Sequence, residues 1–157
     1  MIDVKIKKLS ETATLPTYGS AQAACADLYA DIMSMGYVDG NLADVTKLYL
    51  GPGDTVKIPT GLSMELPKGY CALIFARSGA ATKKGLRPAN CVGVCDEDYR
   101  GNYIVALHND SNEVQVIEHG DRIAQVMFVP YEQANFTEVD NLSETERGNG
   151  GFGHTGK

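Results

Sequence analysis

Five short stretches of this 157-residue chain carry side chains that could do chemistry. Arg77-Ser78-Gly79 follows an apolar run and opens a segment of good helix formers. A guanidinium offers phosphate a bidentate fork, and a helix start adds unpaired N–H groups and the positive end of the dipole. The bland alternative is a capped helix beside a surface arginine. Asp96-Glu97-Asp98-Tyr99 places three acids at the end of another apolar run. Either this is a charged hairpin tip, or Asp96 sits at the mouth of the core and serves as a base toward water.

Asp27 stands among small and apolar residues in Ala24-Cys-Ala-Asp-Leu-Tyr-Ala. It either caps a turn, the favoured reading from these residues alone, or holds a hydrated cation, since Mg²⁺ keeps its waters and takes few carboxylates. Gln125 interrupts the apolar run after Gly120-Asp-Arg, and a buried amide must find hydrogen bonds, in structure or in a ligand. The chain finishes on RGNGGFGHTGK, in which five of eleven residues are glycine. Such a tail cannot bury enough surface to order itself. Arg147, Phe152, His154 and Thr155 within it therefore need something outside the tail to close on.

Elements that would position these residues are legible between the turn signals. Gly51-Pro-Gly-Asp, Pro59-Thr-Gly, Pro67-Lys-Gly, Arg100-Gly-Asn, Asn109-Asp-Ser-Asn and His119-Gly-Asp punctuate the sequence. Between them lie TVKIP, YCALIFA, YIVALH, EVQVIE and RIAQVMFVPY, short runs rich in β-branched and aromatic residues. Many short strands at this spacing predict an all-β antiparallel sandwich or barrel. The continuous runs CALIFA and IAQVMFV predict strands buried on both faces. A short helix is expected from an N-cap at Ser78 to a closing Gly85, and a second is possible over Asn41–Leu50.

Bulk properties narrow the function classes. With 43% hydrophobic residues the chain suits one compact domain, expected over 1–140, with 141–157 as a flexible arm. A net charge of −6 argues against a broad nucleic-acid surface but leaves room for a small anionic ligand. No stretch approaches the roughly 20 apolar residues of a membrane span, and MIDVKIKKLS lacks a signal-peptide run, so a cytoplasmic protein is expected. Cys25, Cys71, Cys91 and Cys95 are then expected to be reduced. Cys91 and Cys95 read as strand residues about 13 Å apart, too far to share a metal, and as small buried apolar groups.

ACADLYA, ARSGAA, GVCDEDYRG, GDRIAQ and RGNGGFGHTG, in this order, resemble the five motifs of the trimeric dUTPase family. The resemblance runs from near residue 5 to the C-terminus. It implies a homotrimer of distorted jelly-roll domains that hydrolyses dUTP to dUMP and pyrophosphate, keeping uracil out of DNA. Each site would take its first, second and fourth motifs from one chain, its third from a neighbour and its arm from the remaining subunit.

Carried over residue by residue, the resemblance makes Asp96 the group that orients and deprotonates the attacking water. Tyr99 would pack against the deoxyribose where a 2′-hydroxyl would sit. Asn90, Val94, Cys95 and Ile104 would read the uracil edge. Arg77, Ser78, Gly79 and Gln125 match the triphosphate contacts, and Asp27 would hold Mg²⁺ through water. Phe152 would stack on the base while Arg147, Gly153, His154 and Thr155 grip the outer phosphates. Ala76, Ala80, Cys95 and His154 depart from the commoner pattern without removing a reacting group, and the 33–48 segment is longer than in compact members.

Two rivals share parts of this pattern. A dCTP deaminase would carry a second serine after Arg-Ser and lack the Phe-Gly arm, whereas Gly79 follows Ser78 here. A regulatory trimer switched by nucleotide would be distinguished by capturing a protein partner with and without a non-hydrolysable dUTP analogue.

Overall fold

The computed structural model describes residues 1–35 and 46–152, with the backbone alone of 37–38 and 41–42. The chain opens with strands β1 (Lys5–Lys8), β2 (Thr17–Tyr18) and β3 (Ala26–Tyr29). After a 3₁₀ turn over Ile32–Met35 come the short β4 (Tyr37–Val38) and β5 (Asn41–Leu42), then β6 (Lys47–Leu50) and β7 (Thr55–Pro59). Strands β8 (Leu62–Glu65) and β9 (Tyr70–Phe75) lead into α1 (Ser78–Lys84). The chain then forms β10 (Leu86–Pro88), β11 (Gly93–Cys95), β12 (Ile104–Asn109), β13 (Gln115–Glu118) and β14 (Arg122–Pro130).

All of the pairings are antiparallel. The largest sheet has the order β11-β9-β14-β3-β2, and a second runs β10-β12-β7, with β1-β8, β13-β6 and β4-β5 as two-stranded ribbons. Period-two patterning explains how the sheets close on one core. Along β12, Val105, Leu107 and Asn109 are buried while the residues between them face outward. From the larger sheet Leu28, Ala72, Ile74 and Val126 join the same cluster, with Ile58, Leu62 and Leu86 from the other strands. This is the all-β, jelly-roll-type sandwich expected, with one α-helix among the described residues. No helix among them is long and apolar enough to cross a membrane.

Several expectations need correction. The described residues of the Asn41–Leu50 stretch hold no helix: they include the β5 strand and β6, which pairs in register with β13. The alternation of Leu48 and Leu50 inward with Lys47 and Tyr49 outward suits that ribbon. The runs in β9 and β14 are not buried on both faces; each buries one side, and Leu73, Met127 and Val129 on the other are half-exposed on this chain. Strand structure reaches back from Cys95 only to Gly93, and Cys91 lies outside it, exposed at φ 62°. Cys95 is half-buried, Cys71 buried, and all four thiols are unbridged.

Helix α1 ends where glycine chemistry requires. Gly85 adopts the left-handed conformation at φ 65°, and a Cβ there would come within 2.9 Å of the Ser111 amide nitrogen. Its start differs from the expected cap. Arg77, in extended conformation, occupies the N-cap position without a side-chain capping bond, and Ser78 is already helical. The Arg77 side chain turns elsewhere, which leaves the first N–H groups of the helix without a side-chain partner.

Candidate functional site

Strand β14 lies between β3 and β9, and its register brings three distant stretches into one row. Gln125 pairs with Asp27 on one side and with Phe75 on the other. Opposed residues share a face, so Asp27 and Gln125 point to the same side of the sheet. Asp27 is therefore a strand residue rather than a turn cap, and 9% exposed. Gln125 Nε2 donates to the Ala76 carbonyl at 2.9 Å, pinning the peptide just before Arg77.

Arg77 turns back over this row. Its Nε donates to Asp27 Oδ1 at 2.6 Å, and Arg122 Nη1 donates to Asp27 Oδ2 at 3.2 Å. One buried carboxylate thus carries two guanidinium groups. Arg77, Gly79, Lys84 and Arg122 also line a cavity of about 200 Å³, into which Asp121 brings the one carboxylate of its wall. With Asp27 behind the two arginines, three cations against two acids still leave that cavity net positive, a place for a small anion, and the open backbone at Gly79 lets a ligand approach closely. Ser78 is exposed at the same helix start.

A second group gathers at the far end of β9. Val94, Cys95, Asp96, Tyr99, Asn102 and Ile104 line a separate cavity of about 230 Å³. The acidic turn is divided by function. Glu97 accepts the Gly69 amide and its backbone carbonyl accepts Arg100, so it stitches two turns together. Among the described residues nothing donates to the exposed Asp96 carboxylate, which leaves it available to a water. Tyr99 is held flat against the turn: its hydroxyl donates to the Asn102 carbonyl at 2.9 Å and its ring meets Tyr103 at 5.8 Å. Burial, then the Asp96 and Cys71 charges, push the Cys95 thiol up to about 11, so it stays neutral. Burial likewise raises the Tyr103 phenol, whose hydroxyl has no partner among the described residues. Asn90 is exposed on the approach to β11.

These two groups do not meet on one chain. Cys95 pairs with Ala72 near the start of β9, and Arg77 follows its end at Phe75. Asp96 and Arg77 are therefore about 20 Å apart along the strand, six residues at its usual rise. The described residues of the arm, up to Phe152, join neither group. Arg147 Nε donates to the Gly150 carbonyl within the arm, and Phe152 is wholly exposed. Gly153, His154 and Thr155 lie outside the described residues.

Sequence reasoning missed Arg122, Lys84 and Asn102. Arg122 stands three residues before Gln125 in a stretch already singled out, and that proximity was its only signal. For the metal, both Asp27 oxygens are engaged by arginine, and among the described residues no three ligand-type side chains converge. That donor set cannot cage a bare cation. A single carboxylate suits only a hydrated Mg²⁺ contacted through water.

Comparison with known proteins identifies the family and agrees with the fold. A model of the dUTPase family matches residues 41–156. The chain is 44% identical over 161 residues to a deoxyuridine 5′-triphosphate nucleotidohydrolase of Desulfitobacterium hafniense, covering 99% of each. It is 40% identical to the protein of that name from Anaplasma marginale, again over 99% of each. Its fold matches a mutant dUTPase of Staphylococcus bacteriophage 80alpha solved with dUpNHpp, at TM-score 0.81, 25% identity and 99% of both chains.

Proposed function

The chain belongs to the dUTPase family, and we propose that it hydrolyses dUTP to dUMP and pyrophosphate at sites assembled from three copies of itself. The observation that carries the shared-site reading is the separation of Asp96 from Arg77 by the length of β9. A triphosphate gripped by Arg77 of one copy does not reach Asp96 of the same copy, so a neighbour must supply it. The outward face of the large sheet supports such a neighbour. Val94, Leu73 and Met127 align across β11, β9 and β14 as an apolar row, with Val94 62% exposed. A row of this kind is suited to burial against another subunit.

In this reading the Asp96 carboxylate orients a water and takes its proton as the water oxygen bonds to the α-phosphorus. The bond from that phosphorus to the bridging oxygen breaks, and pyrophosphate leaves with the electron pair. Arg77, with Ser78 and Gly79 at the helix start, holds the phosphates, and Gln125 fixes the Ala76 peptide beneath them. Positioning and fixed charge do most of the work in such a transfer. Asp27 would hold a hydrated Mg²⁺ through water, and the chemistry that ion would supply is neutralisation of charge on the triphosphate.

Tyr99 sits against the sugar, where its anchored ring leaves no room for a 2′-hydroxyl, while Asn90, Val94, Cys95 and Ile104 frame the uracil. The 141–157 arm then crosses to another subunit, placing Phe152 on the base and Arg147, Gly153, His154 and Thr155 on the outer phosphates. Glycines beside Phe152 allow that closure. The net charge of −6 fits an enzyme of free nucleotides rather than a binder of nucleic acid.

The test is pyrophosphate release from dUTP, dCTP, dTTP and UTP by wild type and Asp96→Asn. Turnover confined to dUTP and lost in the variant supports the assignment. Tight dUTP binding without turnover in wild type contradicts it and favours a regulatory trimer.

A further inference from the structure

Arg77 is already occupied. Its Nε holds Asp27 Oδ1 at 2.6 Å, and the Asp27 side chain is only 12% exposed. Handing Arg77 to a triphosphate would leave a buried carboxylate alone, and an unpaired buried charge is strongly destabilising. The second guanidinium removes that obstacle. Arg122 binds the other carboxylate oxygen, and its side chain is 51% exposed, so it can follow Asp27 without leaving solvent.

The backbone is shaped to place it there. Going back from Gln125 opposite Asp27 in regular register, Arg122 would fall opposite Ala30 and face the other side of the sheet. A register shift between Arg122 and Ala124 instead sets Arg122 opposite Tyr29. Tyr29 is two residues from Asp27 and shares its face, so the bulge turns Arg122 toward Asp27. Re-aiming a side chain beside a site is a known use of such bulges.

We propose that Arg122 is a positioning residue that shares Asp27 with Arg77, so that Arg77 can be released to the triphosphate while the buried carboxylate stays paired. The inference deepens the dUTP reading and rests on it. Without Arg122, Asp27 keeps Arg77 as its sole cation and competes with the ligand for it. Replacing Asp27 by a neutral residue removes the competitor, and Arg122 then has nothing left to do. Arg122 and Asp27 are thus coupled in a way that neither a direct phosphate contact nor a purely structural role reproduces.

The experiment is equilibrium binding of the imido analogue of dUTP to the full chain in EDTA, so that no metal enters. It uses Arg122→Met in the native and Asp27→Asn backgrounds. Arg122→Met is expected to weaken binding about tenfold in the native background, the scale of one hydrogen bond to a charged group, and less than about twofold beside Asp27→Asn. Arg122→Lys, which keeps the charge, recovers part of the loss and substitutes for the methionine variant if that fails to fold. Deoxyuridine, lacking phosphates, binds all variants alike. Equal loss in both backgrounds, loss of deoxyuridine binding, or no loss at all overturns the inference. Failure of the wild type itself to bind the analogue counts instead against the dUTP reading.

Discussion

Gln125 lies directly opposite Asp27 in the pairing of β14 with β3, and its amide donates to the Ala76 carbonyl at 2.9 Å. One side chain thus ties the carboxylate row to the peptide that leads into Arg77. Gln125→Leu fills the space but orphans that carbonyl. It should cost about 1 kcal/mol of stability, seen as a lower Tm, and lower kcat/KM for dUTP by tenfold or more, about 1.4 kcal/mol. A full stability loss with unchanged kcat/KM would reduce Gln125 to a purely structural amide.

Gly101 makes room for Tyr99, because a Cβ at Gly101 would overlap the Tyr99 hydroxyl and ring. Gly101→Ala must therefore displace the ring from its seat on the Asn102 carbonyl. The expected result is a rise in UTP turnover relative to dUTP, read as the ratio of kcat/KM values, with little change in Tm. An unaltered ratio would detach Tyr99 from sugar discrimination.

Among its described residues the arm bonds only within itself, as in the contact of Arg147 with the Gly150 carbonyl. Deleting 141–157 should leave the thermal transition of the domain in place, since no described residue of that segment enters the core. Binding of the dUTP analogue should weaken, and Phe152→Ala should reproduce part of the loss. A lowered Tm on truncation would mean that the boundary near residue 140 is misplaced.

Cys95 gives a pH signature. Burial leads the causes that raise its thiol from the ordinary 9.0 to about 11, so the unfolded chain loses this proton first as pH rises. Its contribution to stability is complete below pH 9 and drains away between about 9 and 11. Tyr103, raised in the same direction, adds to the alkaline limb and stays in the background of a Cys95→Val comparison. The variant should lose less stability than wild type over that interval. At pH 8 iodoacetamide should label exposed Cys91 ahead of Cys95.

The parts of this molecule that sequence exposed were those governed by local rules. TVKIP became β7, YCALIFA became β9, and Ser78 through Gly85 formed the helix with its left-handed glycine. The failures involved partners far away in the chain. Asn41–Leu50 looks helical until β13 is present to pair with β6. The cap at Ser78 gave way because Arg77 is drawn to Asp27, 50 residues earlier. The bond from Arg122 to Asp27 spans 95 residues and depends on a bulge that no periodicity announces. Motif recognition supplied the members of the site, whereas only the register of β14 showed how three of them meet.

Arg77 and Asp96 of different subunits are proposed to serve one site. Co-expressing Arg77→Ala and Asp96→Asn chains, each expected to be inactive alone, tests it directly through the dUTP turnover of the mixed assemblies. In a closed three-fold assembly with random mixing, about one quarter of the sites receive an intact Arg77 and an intact Asp96 from neighbouring chains. The account predicts recovery of about that fraction of wild-type kcat. Turnover no higher than that of the two variants purified separately would contradict it and return both residues to a single chain.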